Sequence, residues 1–386
     1  MDRLEYEGLK PFCRDERQAE KLRLTFELGS ANAAARKLGI NQNAVWETIR
    51  RIKREAARRG FSPDDDIAGI APPGFLVKGK STLHAADGSV KLQWVKTRED
   101  QAQQWEILVD SMQEAAEGLT GLAPKSRTPA KTDKDLLAVY PYGDPHVGMY
   151  CHHEDAQADF DLNNAIALFT GRTQELVDSV PPAEQALICF LGDFFHSDNQ
   201  SNRTARSGFQ LDVDSRWSKV LRVGVNIAVS LIHLALQKHK NVHVITEIGN
   251  HDDHSAIMLA VCLDAFFKDE KRVTIDLSPA RFHYYTFGKN LIGTHHGDLV
   301  KPQQLPGVMA ADMPEAWGQT THRAWYTGHI HNQTRYDLSG CEVESFRILP
   351  PRDAYSQSHG YRSGRSMDCI IRHRERGEIA RHTVHA

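Results

Sequence analysis

An α/β fold with a small helical unit in front of it is what this 386-residue sequence predicts. Three observations predict it. From Asp135 onward, short apolar runs alternate with amphipathic stretches of helical period, the pattern of a layered α/β domain. Five short blocks rich in Gly, Asp and His punctuate the same region, and several of them close a predicted strand. Before Asp135, three helical segments are followed by a hairpin pattern and a further helix. The expected organisation is therefore a front unit over 1–61, a middle segment over 62–134 and an α/β domain over 135–386.

After a polar lead-in, residues 19–59 read as three helices: AEKLRLTFELG, then ANAAARKL closed by Gly39, then a longer one from near Asn41 through AVWETIRRIKREAARR. Val45, Ile49 and Ile52 recur at helical spacing and are expected to face Leu38 and Ile40. A short helix, a glycine turn and a longer helix match the helix-turn-helix unit. The AAARKLGI…AVWETIRRI pattern resembles the small helix-turn-helix domains of phage and bacterial DNA-binding proteins. Arg36–Gly60 holds eight Lys or Arg against two Glu, a net charge of +6 inside a chain of formal charge −3. Gln42, Asn43, Trp46 and Arg50 are expected on the face opposite the apolar one, where base edges or phosphates are met. With Arg36, Lys37, Arg51, Lys53 and Arg54 they make the candidate nucleic-acid-binding set. The competing account is a docking module whose basic run is only a solvated face, with Trp46 as a protein anchor.

Residues 62–73 read as an Asp- and Pro-rich linker. FLVKGKSTL and SVKLQWVKT, joined by AADG, read as a hairpin, with Val90, Leu92 and Trp94 alternating against Lys91 and Gln93. The helix beginning REDQAQQWEILVDSMQ carries Trp105, Leu108, Val109 and Met112 on one stripe, and GLAPKSRTPAKTDK reads as a tether.

In the α/β domain, strands are expected at Leu137, Ala186, Val242 and Val273, separated by helices near 160–180, 215–238 and 255–269. The blocks are GDPH at Gly143–His146, GDFFH at Gly192–His196, GNHD at Gly249–Asp252, HHGD at His295–Asp298 and GHIH at Gly328–His331. A strand ending in a glycine turn that presents Asp, Asn or His places ligands at the carboxyl edge of a sheet. All these groups are carboxylate, amide or imidazole and none is sulfur, so the set suits Mn²⁺, Fe or Zn²⁺ rather than a thiolate-selecting site. Two cations about 3.5–4 Å apart can clamp a phosphate and lower the pKa of a water between them.

The five blocks, in this order, resemble those of calcineurin-like metallophosphoesterases, over about residues 135–335. That resemblance implies a two-sheet β-sandwich flanked by helices, which the strand–helix alternation alone does not. It implies two divalent metal ions, with Mn²⁺ the first choice. One would be held by Asp144, His146 and His331, the other by Asn250, His296 and His329, with Asp193 bridging and His251 the catalytic histidine that binds neither. The family's ligand in the fourth block is the His directly before Gly, which selects His296. The residues alone leave His295 open. The GDFFH form, ending in His196, is similar to the DNA double-strand-break nucleases of the Mre11/SbcD type, with His196 a neighbour that orients a ligand. No long region resembling a separate capping domain follows, so no ATPase partner is expected.

Arg203 and Arg206 are further candidate phosphate contacts, and His152 and His153 follow the first block closely enough to line the same cleft. Beyond His331, CEVESFRIL and SMDCIIRHR are expected to complete a sheet, with YSQSHGYRSGRS between them as a polar rim. The six cysteines form no CxxC pair and read as reduced thiols. The N-terminus lacks the order of a signal peptide, and the most apolar stretch, GVNIAVSLIHLAL, is too short to cross a bilayer, so a cytoplasmic protein without a membrane partner is expected. Oligomeric state is left open. The combination of modules resembles proteins carried by tailed phages and prophages. The function expected is hydrolysis of nucleic-acid phosphodiesters by a metal-activated hydroxide, most simply as a DNA nuclease. The alternatives are a phosphomonoesterase, a cyclic-nucleotide phosphodiesterase, or a DNA-bound regulatory or structural protein with secondary activity.

Overall fold

The computed structural model describes residues 3–58, 61, 75–84, 90–99, 121–123, 126–204 and 207–386. The 62–73 linker, the AADG turn, Arg59, Arg206 and the expected helix beyond Glu99 lie outside these residues. The chain divides into two compact units, Met1–Asp110 and Ser111–Ala386, a division that falls within the 62–134 segment.

In the first unit, four helices precede a hairpin: α1 Arg3–Leu9, α2 Glu16–Glu27, α3 Ala31–Leu38 and α4 Gln42–Arg58. The polar lead-in is thus not an extended tail: α1 forms there and buries Leu9 in the helical core. Each later helix starts on a side chain that accepts an otherwise orphaned N–H. Asp15 takes Gln18 N at 2.7 Å, Ser30 takes Ala33 N at 3.2 Å and Asn41 takes Asn43 N at 2.8 Å. Gly39 ends α3 in the left-handed region at φ 66°, with Ile40 N donating back to Ala35 O. Val45, Ile49, Ile52 and Ala56 pack on Leu22, Ala34 and Ala35, with Leu38 alongside. Ile40 does not join them. It sits on the tight turn and is 40% exposed, because the chain reverses there before α4 begins. Strands β1 Phe75–His84 and β2 Val90–Glu99 pair antiparallel, as the hairpin pattern predicted.

The second unit is a two-sheet sandwich flanked by helices. One sheet has the order β13-β12-β3-β4-β5-β6, built from β3 Asp133–Tyr142, β4 Ala183–Phe190, β5 Asn241–Thr246, β6 Val273–Ile275, β12 Ser366–His373 and β13 Gly377–His385. The other has the order β10-β11-β9-β8-β7, from β7 His283–Phe287, β8 Asn290–His295, β9 His322–Thr327, β10 Thr334–Leu338 and β11 Cys341–Ser345. CEVESFRIL and SMDCIIRHR therefore complete two sheets, not one: β11 pairs with β9 and β12 with β3.

Period-two alternation assigns the faces. On β3, Leu137 and Val139 point inward to meet Leu187, Cys189 and Ile245 from one sheet and Ile292, Ala324 and Tyr326 from the other. Tyr140 and Tyr142 point outward to the helical layer. There Tyr140 OH lies 2.7 Å from His239 Nε2, and Tyr142 OH lies 2.9 Å from Thr173 Oγ1 on helix α5, Leu162–Ser179. Helix α6, Trp217–Lys238, is longer than the apolar stretch read from sequence. Its 22 residues include an 18-residue window of mean hydropathy 1.6, which meets the length and composition of a membrane span. Twelve of its residues, from Trp217 to Leu236, are instead buried within the domain. Strands β3, β4, β5 and β6 run parallel, as do β8, β9 and β11. The carboxyl ends of these runs carry the five blocks.

Candidate metal centre

Each block begins where a buried strand stops. β3 leads to Gly143 and Asp144, β4 to Gly192 and Asp193, β5 to Gly249 and Asn250, β8 to His296, and β9 to Gly328 and His329. The turns are sharp enough that Asp144, His146, Asp193, His329 and His331 have φ between 34° and 68°, a region side-chain-bearing residues rarely occupy. Such backbone persists only where the surroundings over-determine it. Two glycines make room for another block's donor. A β carbon on Gly249 would fall on Asp193 Oδ1, and one on Gly328 would fall on Asp144 Oδ1.

Among the described residues three donor groups meet here, Asp144 with His146 and His331, Asp193 with His296 and His329, and His146 with His196 and His251, each with its atoms within 4.8 Å of one another. In the first, His331 Nε2 lies 2.8 Å from Asp144 Oδ2 and 3.2 Å from His146 Nε2. In the second, His296 Nε2 lies 3.3 Å from Asp193 Oδ2 and 3.1 Å from Asn250 Oδ1. Backbone N–H of His329 donates to both oxygens of Asp144 at 2.9 Å, and that of His251 donates to Asp193 Oδ1 at 2.8 Å. Every residue of the seven-member ligand set is thus brought to one place.

The chemistry of the donors tests whether a cation suits them. His296 Nδ1–H donates to Leu191 O at 2.8 Å, which fixes the proton on that nitrogen. A neutral ring then aims the Nε2 lone pair at two oxygen acceptors, an arrangement that requires positive charge between them. Without metal the charge can only be a second proton. Burial works against it, but Asp193 outweighs burial and pushes the His296 pKa up to about 10. Burial likewise opposes the charge on Asp193, yet His296 and His251 hold its carboxyl well below the usual range. His146 is driven well below 6.5 by burial and by the neighbouring rings of His251, His331 and His196, so it is neutral and presents one nitrogen lone pair. The residues fit divalent cations with oxygen and nitrogen ligands.

His251 Nδ1–H donates to His196 O at 2.8 Å, leaving Nε2 turned toward the centre, 3.9 Å from Asp193 Oδ2. His196 is buried, its Nδ1 3.3 Å from His146 Nδ1 and its ring stacked on His251 at 5.4 Å. Burial pushes its pKa down to about 3, so it is a neutral neighbour. His295 is placed elsewhere: it stacks on Phe282 at 4.8 Å and accepts Gly297 N on Nδ1 at 2.8 Å. His152 and His153 group with Asp159 in a separate, more exposed cluster.

Two carboxylates not singled out in sequence support the loops. Asp252 is fully buried and accepts Phe195 N at 3.1 Å and Gly249 N at 3.0 Å, tying the second block to the third. Asp198 accepts Ser255 N at 2.8 Å and Ser255 Oγ at 2.7 Å, anchoring the start of helix α7, Ser255–Phe267. Asp252 stands in the GNHD motif itself, but nothing local says that its partner lies 57 residues earlier.

In the front unit, Arg36, Lys37, Gln42, Asn43, Arg50, Arg51 and Arg54 are exposed, and Trp46 is 58% exposed. Lys53 differs from these, since its ammonium pairs with Glu5 of α1. Arg203 is exposed.

No protein-family profile matches the sequence, and a search of curated proteins finds no match. Among solved structures, similarity is found to an archaeal phosphodiesterase, with 14% identity over 64% of this chain and 99% of that one and a TM-score of 0.30. A conserved protein of Streptococcus pneumoniae, called a predicted phosphoesterase, gives 9% identity over 66% and 100%, with a TM-score of 0.26. Vacuolar protein sorting protein 29 of Entamoeba histolytica, in complex with zinc, gives 12% over 64% and 98%, with a TM-score of 0.24. Overlaps this weak carry no functional argument, and the chemistry of the centre rests on its own geometry.

Proposed function

We propose that the protein is a phosphodiesterase that uses two divalent metal ions, Mn²⁺ by preference, to hydrolyse DNA. The observation that carries this reading is the convergence of two Asp/His donor groups at the carboxyl ends of strands from both sheets, with Asp193 beside His296 and His251. Asp144, His146 and His331 would hold one cation, and Asn250, His296 and His329 the other, with Asp193 shared between them. When bound, the pair supplies charge to the phosphoryl oxygens and lowers the pKa of water in the cleft. The chain does the rest. Leu191 O and Asp252 fix the loops from which the donors project, and burial of Asp193 and His296 excludes bulk water. His251, its Nδ1 proton pinned on His196 O, turns Nε2 toward the centre, where the doubly protonated ring would give the Nε2 proton to the departing alkoxide. The exposed basic face of α4 supports a nucleic-acid substrate, since Arg50, Arg51 and Arg54 are open to solvent beside Trp46.

The test is turnover by Mn²⁺-loaded full-length protein on supercoiled DNA, linear duplex, single strands, a cyclic dinucleotide and para-nitrophenyl phosphate. Cleavage of DNA is the expected result. Fast hydrolysis of the cyclic dinucleotide or the monoester, with every DNA form left intact, overturns the nuclease reading.

A further inference from the structure

Two loops, one from each sheet, bring exposed aromatic rings together. The first runs from His196 to Asp214 and returns against the residues that follow the first block: His196 N donates to Val147 O, Tyr150 N to Asp212 O and Asp214 N to Gly148 O, each at 3.0 Å. The second follows β11, where Ile348 bridges Gly143 and the Cys151 thiol lies 3.7 Å from Arg352 O. Both loops are therefore fastened to the stretch 143–151, which also carries Asp144 and His146. Phe209 projects from the first loop, and Tyr355, His359 and Tyr361 from the second. Their centroids follow one another at 5.6, 4.0 and 6.2 Å, with Tyr355 and His359 stacked at 27°. Phe209 is 56% exposed, Tyr355 45% and Tyr361 55%.

These rings are held in place. Asp353 accepts Ser356 N at 2.8 Å and so caps the turn that bears Tyr355, and His359 Nδ1 donates to Tyr355 O at 2.9 Å. Exposed cations flank them on both loops: Arg203, and Arg362, whose guanidinium donates to Tyr361 O at 2.9 Å. Exposed rings whose outer faces are open to water, on loops that also carry exposed guanidinium groups, match a strand whose bases stack while its phosphates meet cations. A duplex offers no such faces, because its bases are already stacked on each other.

We propose that Phe209, Tyr355, His359 and Tyr361 form a stacking platform for the unpaired bases of a nucleic-acid strand led to the neighbouring metal centre. The inference rests on the reading of that centre as a phosphodiesterase site. It names the local substrate as single-stranded, whatever the front unit holds.

Binding in EDTA separates the platform from catalysis. Full-length protein carrying Trp46→Ala, which removes the exposed indole of α4, is titrated with a thymidine ten-mer, its uridine RNA counterpart and an abasic ten-mer of the same charge. At least one base-bearing strand should bind about 5–150-fold more tightly than the abasic one, and the DNA and RNA arms say which. Phe209→Leu with Tyr355→Leu should remove most of that preference with the thermal midpoint unchanged, and Tyr355→Phe should retain it. Equal affinity for abasic and base-bearing strands, or a preference that survives the double leucine variant, overturns the platform. Turnover of bis-para-nitrophenyl phosphate by Mn²⁺-loaded wild type reports on the centre alone. Its absence would remove the phosphodiesterase reading and leave the binding result to stand on its own.

Discussion

His295 and His296 are adjacent, yet the alternation at a strand end sends their rings to opposite sides. His296 meets Asn250 and Asp193, whereas His295 lies flat on Phe282, and burial pushes its pKa down to about 4. In the Mn²⁺-loaded protein, His295→Ala should keep both metals by elemental analysis, and His296→Ala should lose one. The reverse result would exchange their roles. His251 makes a different case, because its backbone N–H and Nδ1 are committed to Asp193 and His196 while Nε2 faces the centre. His251→Ala should keep both metals and lose about 10²–10⁴-fold in rate on alkoxide leaving groups, with a smaller deficit for phenolates. Loss of metal would make it a ligand instead. The residues alone could not choose between the paired histidines, since the choice depends on which face of β8 is covered. The block pattern chose His296 through resemblance, and the placement of the two rings now gives a physical reason for that choice.

The outer face of the six-stranded sheet carries a buried imidazole that makes the layer sensitive to acid. His239, just past the end of α6, lies within bonding distance of Tyr140 OH through Nε2 and accepts Ala183 N through Nδ1 at 3.1 Å, which ties helix, β3 and β4 together. Burial pushes its pKa from 6.5 down to about 4. A depressed folded-state value means the unfolded chain binds the proton more tightly. The contribution to stability is therefore complete above pH 6.5 and lost as pH falls toward 4. Its size is about 3 kcal/mol at most. Unfolding free energies from denaturant titration at pH 7.5 and pH 4 should fall further in wild type than in His239→Gln, which can keep one donor and one acceptor. Parallel losses would show that His239 is not the sensor. The elements themselves were legible: ANAAARKL is α3 residue for residue, and the helices at 162–179 and 255–267 lie where the strand–helix alternation put them. What the sequence hid were partners. β10 is short and mostly exposed, and β13, though nine residues long, buries only Gly377 and Val384, so neither carries an apolar run, and only their register with β11 and β12 makes them strands.

The chain as a whole carries donor-bearing strand ends in one compact unit and a basic helix in another. Local motifs disclosed both, because each donor-bearing block is a few residues long and the basic run is contiguous. Beyond its β7–β8 hairpin, the second sheet was not disclosed by local pattern, since its parallel pairs β8–β9 and β9–β11 join segments distant along the chain. The consequence of joining such units on one polymer can be measured. If α4 holds DNA through phosphates, it binds ground state and transition state alike, and such uniform binding appears in KM while kcat stays fixed when chemistry limits. Arg50→Ala with Arg51→Ala in the full chain should therefore raise KM for long duplex DNA without changing kcat. Both side chains are exposed, so the helical core should be undisturbed. Removing two phosphate contacts should also lower the slope of log affinity against log salt by about 1.8, and by the same amount on unrelated sequences if no base edges are read. Hydrolysis of bis-para-nitrophenyl phosphate, which has no run of phosphates for a basic helix to hold, supplies the reference rate. An unchanged salt slope together with an unchanged KM would remove DNA from the front unit and make its basic face a solvated surface or a protein dock.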